Sequence, residues 1–290
     1  MVINKAVILA GGNGTRMGMV SRIYNKHINI VYKYPMILYP ILNARECGIT
    51  DIMIVTNVSS DVQRLVGDGH DFGVDVSYRV QSTPNGIADA LKLTEKFVNG
   101  EPFICLLGDN FYNPFPIDSI RNWDGNGAKV FAMETKTPEL YGVLEFGNVK
   151  KYMVNSDNIN YKVYGMDNND ATIYSTIPEF LAKHKIRSII EKPEHWIGNL
   201  FVLGMYLYDQ TVWAHIKHIH MSDRGELEIT DVNDRYICHG ALEVEIFNGK
   251  FLDCGNPDGL LDSANFVREC GDYYDRLIYK QDNSWWPYII

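Results

Sequence analysis

The chain has 290 residues, and 27 basic against 36 acidic side chains leave a formal net charge of -9 at pH 7, with 46% hydrophobic and 12% aromatic content. A chain of this size and composition buries a substantial core in one large α/β domain or two modest ones, which excludes disorder and small cross-linked scaffolds. The acidic balance argues against broad contact with nucleic acid or an anionic membrane, so any phosphate chemistry must rely on a few placed cations.

Taken in chain order, short apolar runs bounded by turn residues predict strands at Ala6 to Ala10, Asp51 to Thr56, Val74 to Val80 and Phe103 to Leu107. Helices are predicted between them. One opens at Pro35, whose fixed φ suits a first helical position, and stops at Gly48; others cover Asp61 to Leu65 and Ile87 to Phe97. Such alternation implies a mostly parallel sheet flanked by helices, with active loops beyond the carboxyl ends of the strands. Further strands are predicted at Val130 to Glu134, Tyr141 to Phe146, Ser188 to Pro193, Leu200 to Tyr208 and Leu242 to Leu252, before a helical tail from about Gly259. Residues 150–185 are polar and rich in asparagine (Asn155, Asn158, Asn160, Asn168, Asn169) and read as an insertion or lid. The expected organisation is one α/β domain over residues 1–255 that carries this insertion, with a helical tail over 256–290 packed on it.

No apolar stretch approaches the ~18 residues of a membrane helix, and the opening residues do not read as a signal peptide, so a cytoplasmic protein is expected. The five cysteines include no C-x-x-C pair, which points to buried thiols rather than a zinc ribbon or a disulfide framework.

Three features could carry chemistry. The first is Gly11-Gly12-Asn13-Gly14-Thr15-Arg16, directly after the first strand, where glycines let backbone N–H groups approach an anion and a guanidinium follows within reach of phosphate oxygens. It is neither a dinucleotide fingerprint nor a P-loop, and a plain tight turn is the alternative. The second is Lys26, a further cation close in sequence. The third is a pair of aspartates, Asp109 in Leu107-Gly108-Asp109-Asn110 and Asp253 in Leu252-Asp253-Cys254-Gly255, each ending an apolar run where a Mg²⁺ bound to substrate phosphates would sit. His215, His218 and His220 can align at most two on one helical face without a companion cysteine, and read as a solvated helix. Trp285-Trp286-Pro287-Tyr288 reads as a core-packing tail or an interface anchor.

These motifs, with Pro35-Met36, Tyr141-Gly142-Val143, Glu191-Lys192-Pro193 and Arg224-Gly225-Glu226-Leu227-Glu228-Ile229-Thr230-Asp231, stand in the order seen in the sugar-1-phosphate nucleotidylyltransferases. The chain resembles that family from residue 4 to about 270, and most closely its thymidylyltransferase branch. The resemblance implies a Rossmann-like nucleotidyltransferase fold with a sugar-side extension. It also implies a single displacement: an oxygen of a sugar 1-phosphate, a hexose 1-phosphate by expectation, attacks the α-phosphorus of dTTP or UTP and pyrophosphate leaves. By the same resemblance, Gly11, Gly14 and Thr15 cradle the nucleotide, Arg16 and Lys26 are catalytic cations on the triphosphate, and Asp109 and Asp253 hold Mg²⁺. His27, Gln81 and Gly86 fall in nucleotide-binding segments; the Gln81 amide offers the donor and acceptor that suit a thymine or uracil edge. Tyr141, Gly142, Glu191, Lys192, Val202 and Glu226 fall to the sugar-phosphate pocket. Partners are thus a nucleoside triphosphate and a sugar 1-phosphate, without nucleic acid or membrane, and by analogy a homo-oligomer, commonly a homotetramer.

Where the family usually has a glutamine after the lysine, this chain has His27, and its segment from Phe146 to Glu191 is longer, which points to a sugar other than glucose 1-phosphate. The competing functions are a non-catalytic nucleotide-sugar sensor on the same fold, a uridylyl- or cytidylyltransferase with another phosphorylated substrate, and a glycosyltransferase. The last would favour a D-x-D motif, whereas Asp109 is followed by Asn110 and Phe111.

Overall fold

The computed structural model describes residues 2–12, 14, 16–18, 24–157, 160–167 and 170–278. Thr15, Asn158, Asn168, Asn169 and the Trp285-Trp286 segment lie outside the described residues. The chain divides into two compact units, one built from Met1–Gly125, Leu207–Gln210 and Gly249–Ile290, the other from Asn126–Tyr206 and Thr211–Asn248. In chain order the strands are β1 (Lys5–Ala10), β2 (Ile30–Val31), β3 (Tyr34–Pro35), β4 (Asp51–Thr56), β5 (Asp75–Val80), β6 (Phe103–Leu107), β7 (Asn110–Asn113) and β8 (Ala128–Glu134). They continue as β9 (Gly142–Phe146), β10 (Lys151–Asp157), β11 (Asn160–Asp167), β12 (Asp170–Tyr174), β13 (Ile186–Glu191), β14 (Leu200–Tyr208), β15 (Leu242–Ile246) and β16 (Lys250–Asp253).

In the first unit β1 lies between β4 and β6, with β5 beyond β4, and every pairing is parallel. Parallel strands covered on both faces need side chains apolar throughout rather than alternating. Ala6, Val7, Ile8, Ile54, Val55, Ile104, Cys105 and Leu106 are accordingly fully buried. Each large aliphatic side chain there contributes roughly 1.5–3 kcal/mol of burial free energy. The register pairs Ala10 with Thr56 and Leu9 with Leu107, so β1, β4 and β6 end together and the loops after them emerge at one edge. Next to this sheet, β7 pairs antiparallel with β16, setting Asn110 opposite Asp253. The unit closes with the helices Pro257–Glu269 and Tyr273–Ile278. Asn256 caps the first of these, accepting from Gly259 N at 2.9 Å.

The second unit is mixed: β15 runs parallel to β8, while β9 is antiparallel to both β13 and β14. The expected insertion contains an antiparallel meander, β10-β11-β12, followed by the helix Ile177–Lys183. Its first strand alternates, Tyr152 and Val154 buried against exposed Lys151, Met153 and Asn155. The Asn199 amide anchors that strand, accepting from Val154 N at 2.6 Å and donating to Val154 O at 2.7 Å.

Three predicted elements are corrected. Pro35 does not open a helix; it pairs with Ile30 in a two-residue ladder, where its missing N–H costs nothing, and the helix is Leu38–Glu46. The helix expected over Ile87 to Phe97 breaks into Ile87–Lys92 and Glu95–Val98, because the Thr94 hydroxyl takes the Leu91 carbonyl at 2.8 Å and turns the backbone. The run from Leu242 to Leu252 is two strands, β15 and β16, separated by Phe247, Asn248 and Gly249 and belonging to different units.

Candidate functional site

Everything expected on the nucleotide side that is described lies in the first unit, where β1, β4 and β6 end. Past Ala10 the chain passes Gly11 and Gly12 to Gly14, which adopts φ 61, and the Gly14 carbonyl accepts from Met17 N at 2.8 Å. This tight turn presents Arg16, whose Nη1 donates to Asp253 Oδ2 at 2.9 Å while its side chain stays 57% exposed. Lys26 is buried in the turn Lys26–Ile28 and ion-pairs with Asp109 Oδ2. Burial alone would raise the Asp109 carboxyl, but the Lys26 ammonium outweighs it and holds the group below the usual carboxylate range.

The two aspartates come from distant sequence and meet across the β7–β16 pair, where Cys254 N also donates to the Asp109 carbonyl at 2.8 Å. Gly255 exposes the geometry most clearly. A Cβ there would lie 2.6 Å from Asp109 Oδ2, 2.8 Å from Asp253 Oδ1 and 2.9 Å from Arg16 Nη2, so any side chain would fill the space at which these groups converge. Two carboxylate oxygens around such a cradle fit a hard divalent cation, which commonly takes one or two carboxylates and completes its shell with water and phosphate. Among the described residues no group of three or more His, Cys, Asp or Glu side chains could hold a metal, so a cation here would depend on substrate and water ligands.

Gln81 and Gly86 lie beside the same edge. Gln81 is buried, and its Nε2 donates to Gly86 O at 3.2 Å and to Asp89 Oδ2 at 2.9 Å, while its Oε1 approaches Gly11. Asp89 therefore fixes which way the amide faces. His27 is also buried; its Nδ1 lies 2.7 Å from Asn25 Oδ1 and its ring packs on Gly108. Burial, then Lys26, pushes this imidazole down to about 3, so it is neutral near pH 7.

The residues expected on the sugar side lie in the second unit. Tyr141 stacks on Phe201 with ring centroids 4.3 Å apart, and its carbonyl accepts from Lys192 N at 2.9 Å. Lys192 adopts φ 44, a strained conformation for a side chain of this size. Gly142 sits where a Cβ would lie 2.7 Å from Thr230 Cγ2 and 3.4 Å from Glu191 Oε2. Arg224 gathers the acidic groups, at 3.1 Å from Glu191, 3.3 Å from Glu226 and 3.4 Å from Glu228, and Lys192 Nζ lies 3.7 Å from Glu191. Burial, then Glu228, raises the Glu191 carboxyl against the opposing pull of Lys192 and Arg224. The Thr230 hydroxyl is buried and has no hydrogen-bond partner among the described residues. Val202 is buried in β14.

The nucleotidyl transferase family profile matches residues 5–269. The chain belongs to the nucleotidyl transferase family. A glucose-1-phosphate thymidylyltransferase of Neisseria meningitidis is 35% identical over 271 residues, which cover 91% of this chain and 82% of that one. One from Mycolicibacterium smegmatis is 33% identical, with the same two coverages. A Bacillus anthracis protein put forward as a glucose-1-phosphate thymidylyltransferase, solved with a sucrose, superposes with a TM-score of 0.74 at 33% identity, covering 91% of this chain and 95% of that one. A UDP-glucose pyrophosphorylase complexed with UDP-glucose shares the fold at a TM-score of 0.70 and 20% identity, covering 92% of this chain and 99% of that one. Among the described residues, no helix of this family member is long and apolar enough to cross a membrane.

Sequence reasoning missed three residues in this nucleotidyl transferase. Asp89 orients Gln81, Glu228 joins the Arg224 cluster, and Asn25 anchors the turn that carries Lys26. The Asn25-x-His27 spacing is a local signal for the last of these, since asparagine oxygens commonly accept from the backbone two residues on.

Proposed function

We propose that this chain transfers a nucleoside monophosphate from dTTP, or UTP, to a sugar 1-phosphate, most simply a hexose 1-phosphate, releasing pyrophosphate. The single observation that carries the reading is the convergence of Arg16, Asp109 and Asp253 at Gly255, where only a residue without a side chain leaves them room, at the carboxyl edge of a parallel sheet. The named relatives at 33–35% identity support the substrate class.

In this reading Arg16 and Lys26 leave their carboxylate partners to neutralise the triphosphate and the charge that develops at the α-phosphorus, while Gly11 and Gly14 line its path and the resemblance assigns Thr15 to the same cradle. Asp109 and Asp253 would hold a Mg²⁺, whose contribution when bound is to offset negative charge on the phosphates and help orient them for in-line displacement. A sugar-phosphate oxygen forms the new bond to the α-phosphorus as the bond to the bridging oxygen breaks. No general base is needed, because the attacking phosphate monoester is largely ionised at neutral pH. Both Gln81 N–H donors engage Gly86 and Asp89, so the Oε1 acceptor is what Gln81 offers a base, matching the N3–H of thymine or uracil. On the sugar side, Glu191 and Glu226 accept from hydroxyls, Lys192 pairs with the phosphate, and Tyr141, Gly142 and Val202 shape the pocket. We place the protein in the cytoplasm and read it as a homo-oligomer.

The test is a matrix of four nucleoside triphosphates against several sugar 1-phosphates with Mg²⁺, read by pyrophosphate release. Release with dTTP or UTP and a hexose 1-phosphate is expected. Silence across the whole matrix would reject the reading in favour of a nucleotide-sugar sensor.

A further inference from the structure

The turn that carries Lys26 touches the ends of three strands at once, and one side chain makes most of those contacts. Asn25 is 2% exposed. Its Nδ2 donates to Ala10 O at 2.9 Å, at the end of β1, and to Thr56 Oγ1 at 3.3 Å and Asn57 Oδ1 at 3.2 Å, at the end of β4. Its Oδ1 accepts from His27 N at 2.9 Å and meets His27 Nδ1 at 2.7 Å, and its backbone N–H donates to Asp61 Oδ2 at 3.0 Å. The His27 ring in turn lies on Gly108: a Cβ there would sit 2.8 Å from His27 Cδ2. Gly108 follows β6 and its N–H donates to Leu9 O at 2.9 Å. Consecutive residues of the turn thus engage consecutive residues after β6, Lys26 with Asp109 and His27 with Gly108.

We propose that Asn25 is a positioning residue for Lys26, its carboxamide gripping both the strand ends and the His27 ring so that the ammonium is fixed at the phosphate-binding edge. The proposal rests on the reading of Lys26 as a cation for the triphosphate. Two features support it. Each half of the amide has a separate task, donation to β1 and β4 and acceptance from His27, so no shorter polar side chain reproduces both. The bond to Asn25 also assigns the proton to Nδ1, which makes His27 a brace inside the turn rather than a donor to ligand.

The experiment compares Asn25→Ala, Lys26→Ala and the double variant for kcat and KM in the pyrophosphate assay, with Asn25→Asp as the conservative variant and the thermal midpoint of each as a check on folding. Asn25→Ala is expected to lower kcat by about tenfold to a hundredfold, the scale of a small misplacement, with KM for the sugar phosphate unchanged. In the Lys26→Ala background it is expected to cost nothing further, and Asn25→Asp, which keeps the acceptor for His27, to recover part of the loss. Equal losses with and without Lys26, or no loss in either background, would overturn the role. Ring ¹⁵N shifts of His27, assigned with His27→Gln, read the clamp without turnover: a protonated Nδ1 is expected in the wild type and a redistributed tautomer in Asn25→Ala. A wild type inactive across the substrate matrix would remove the functional reading alone, whereas a wild-type ring protonated on Nε2 would remove this inference alone.

Discussion

The nucleotide-side and sugar-side clusters differ in how they handle charge. On the nucleotide side Arg16 pairs with Asp253 and Lys26 with Asp109, and the four groups balance. In the second unit Arg224 is shared among Glu191, Glu226 and Glu228, and with Lys192 counted one negative charge remains in excess. One-to-one pairing suits groups that exchange partners when a polyanion and its counterion arrive. A surplus of carboxylate oxygens suits a ligand rich in hydroxyl donors. The same residue types therefore do different work in the two places.

Breaking the nucleotide-side pairing has the largest expected effect. Asp109→Ala should abolish turnover, and because it strands the Lys26 ammonium in a buried site it should also cost about 3–5 kcal/mol of stability, measurable by denaturant unfolding. Arg16→Ala should lower kcat about a hundredfold to a thousandfold with near-normal KM, as for a lost electrostatic contact to a transition state. Its stability should barely change, since this guanidinium is more than half exposed and surface pairs contribute little. Unchanged kcat would make Arg16 structural and erase the contrast between the clusters.

The sugar side can be sharpened more gently. Arg224→Ala leaves three glutamates without their shared cation, so the KM for sugar 1-phosphate should rise by about tenfold, equivalent to ~1.4 kcal/mol, while that for the nucleotide holds. The smallest effect concerns Asp234, which accepts from Ile189 N at 2.7 Å in the strand leading to Glu191. Burial, joined by Asp231 and Glu145, raises its carboxyl to about 6 against the pull of that bond. A group raised in the folded state stabilises fully below its unfolded pKa, and that contribution fades as pH climbs through 6. Asp234→Asn should therefore gain on the wild type between about pH 4 and pH 7, by on the order of 1 kcal/mol after solvent screening, as followed by thermal unfolding.

Much of this was legible in the residues. The strands β1, β4 and β6 announce themselves because a strand covered on both faces needs an uninterrupted apolar run, and the turn residues at each end stop it. Asp109 and Asp253 could be singled out because each follows such a run. Their adjacency was expected from the family resemblance rather than from local pattern, because the pairing of β7 with β16 joins segments far apart in the chain. Pro35 misled because a residue without a donor suits a helix start and an edge ladder equally well. The run Leu242 to Leu252 misled because alternation continues through two strands that part company at Asn248 and Gly249. Asn25 was overlooked beside a more conspicuous lysine, since its role lies in hydrogen bonds to strand ends that only folding brings near.

The β7–β16 ladder also has a consequence for biosynthesis. Asp253 comes from a segment translated after the whole of the second unit, and the first unit is interrupted by that unit in the chain. A nascent polypeptide halted between Asp109 and β16 would therefore carry Arg16, Lys26 and Asp109, yet lack the strand that supplies Asp253. In the proposed reading such a product holds one of the two carboxylates of the cation site, and is expected to be inactive.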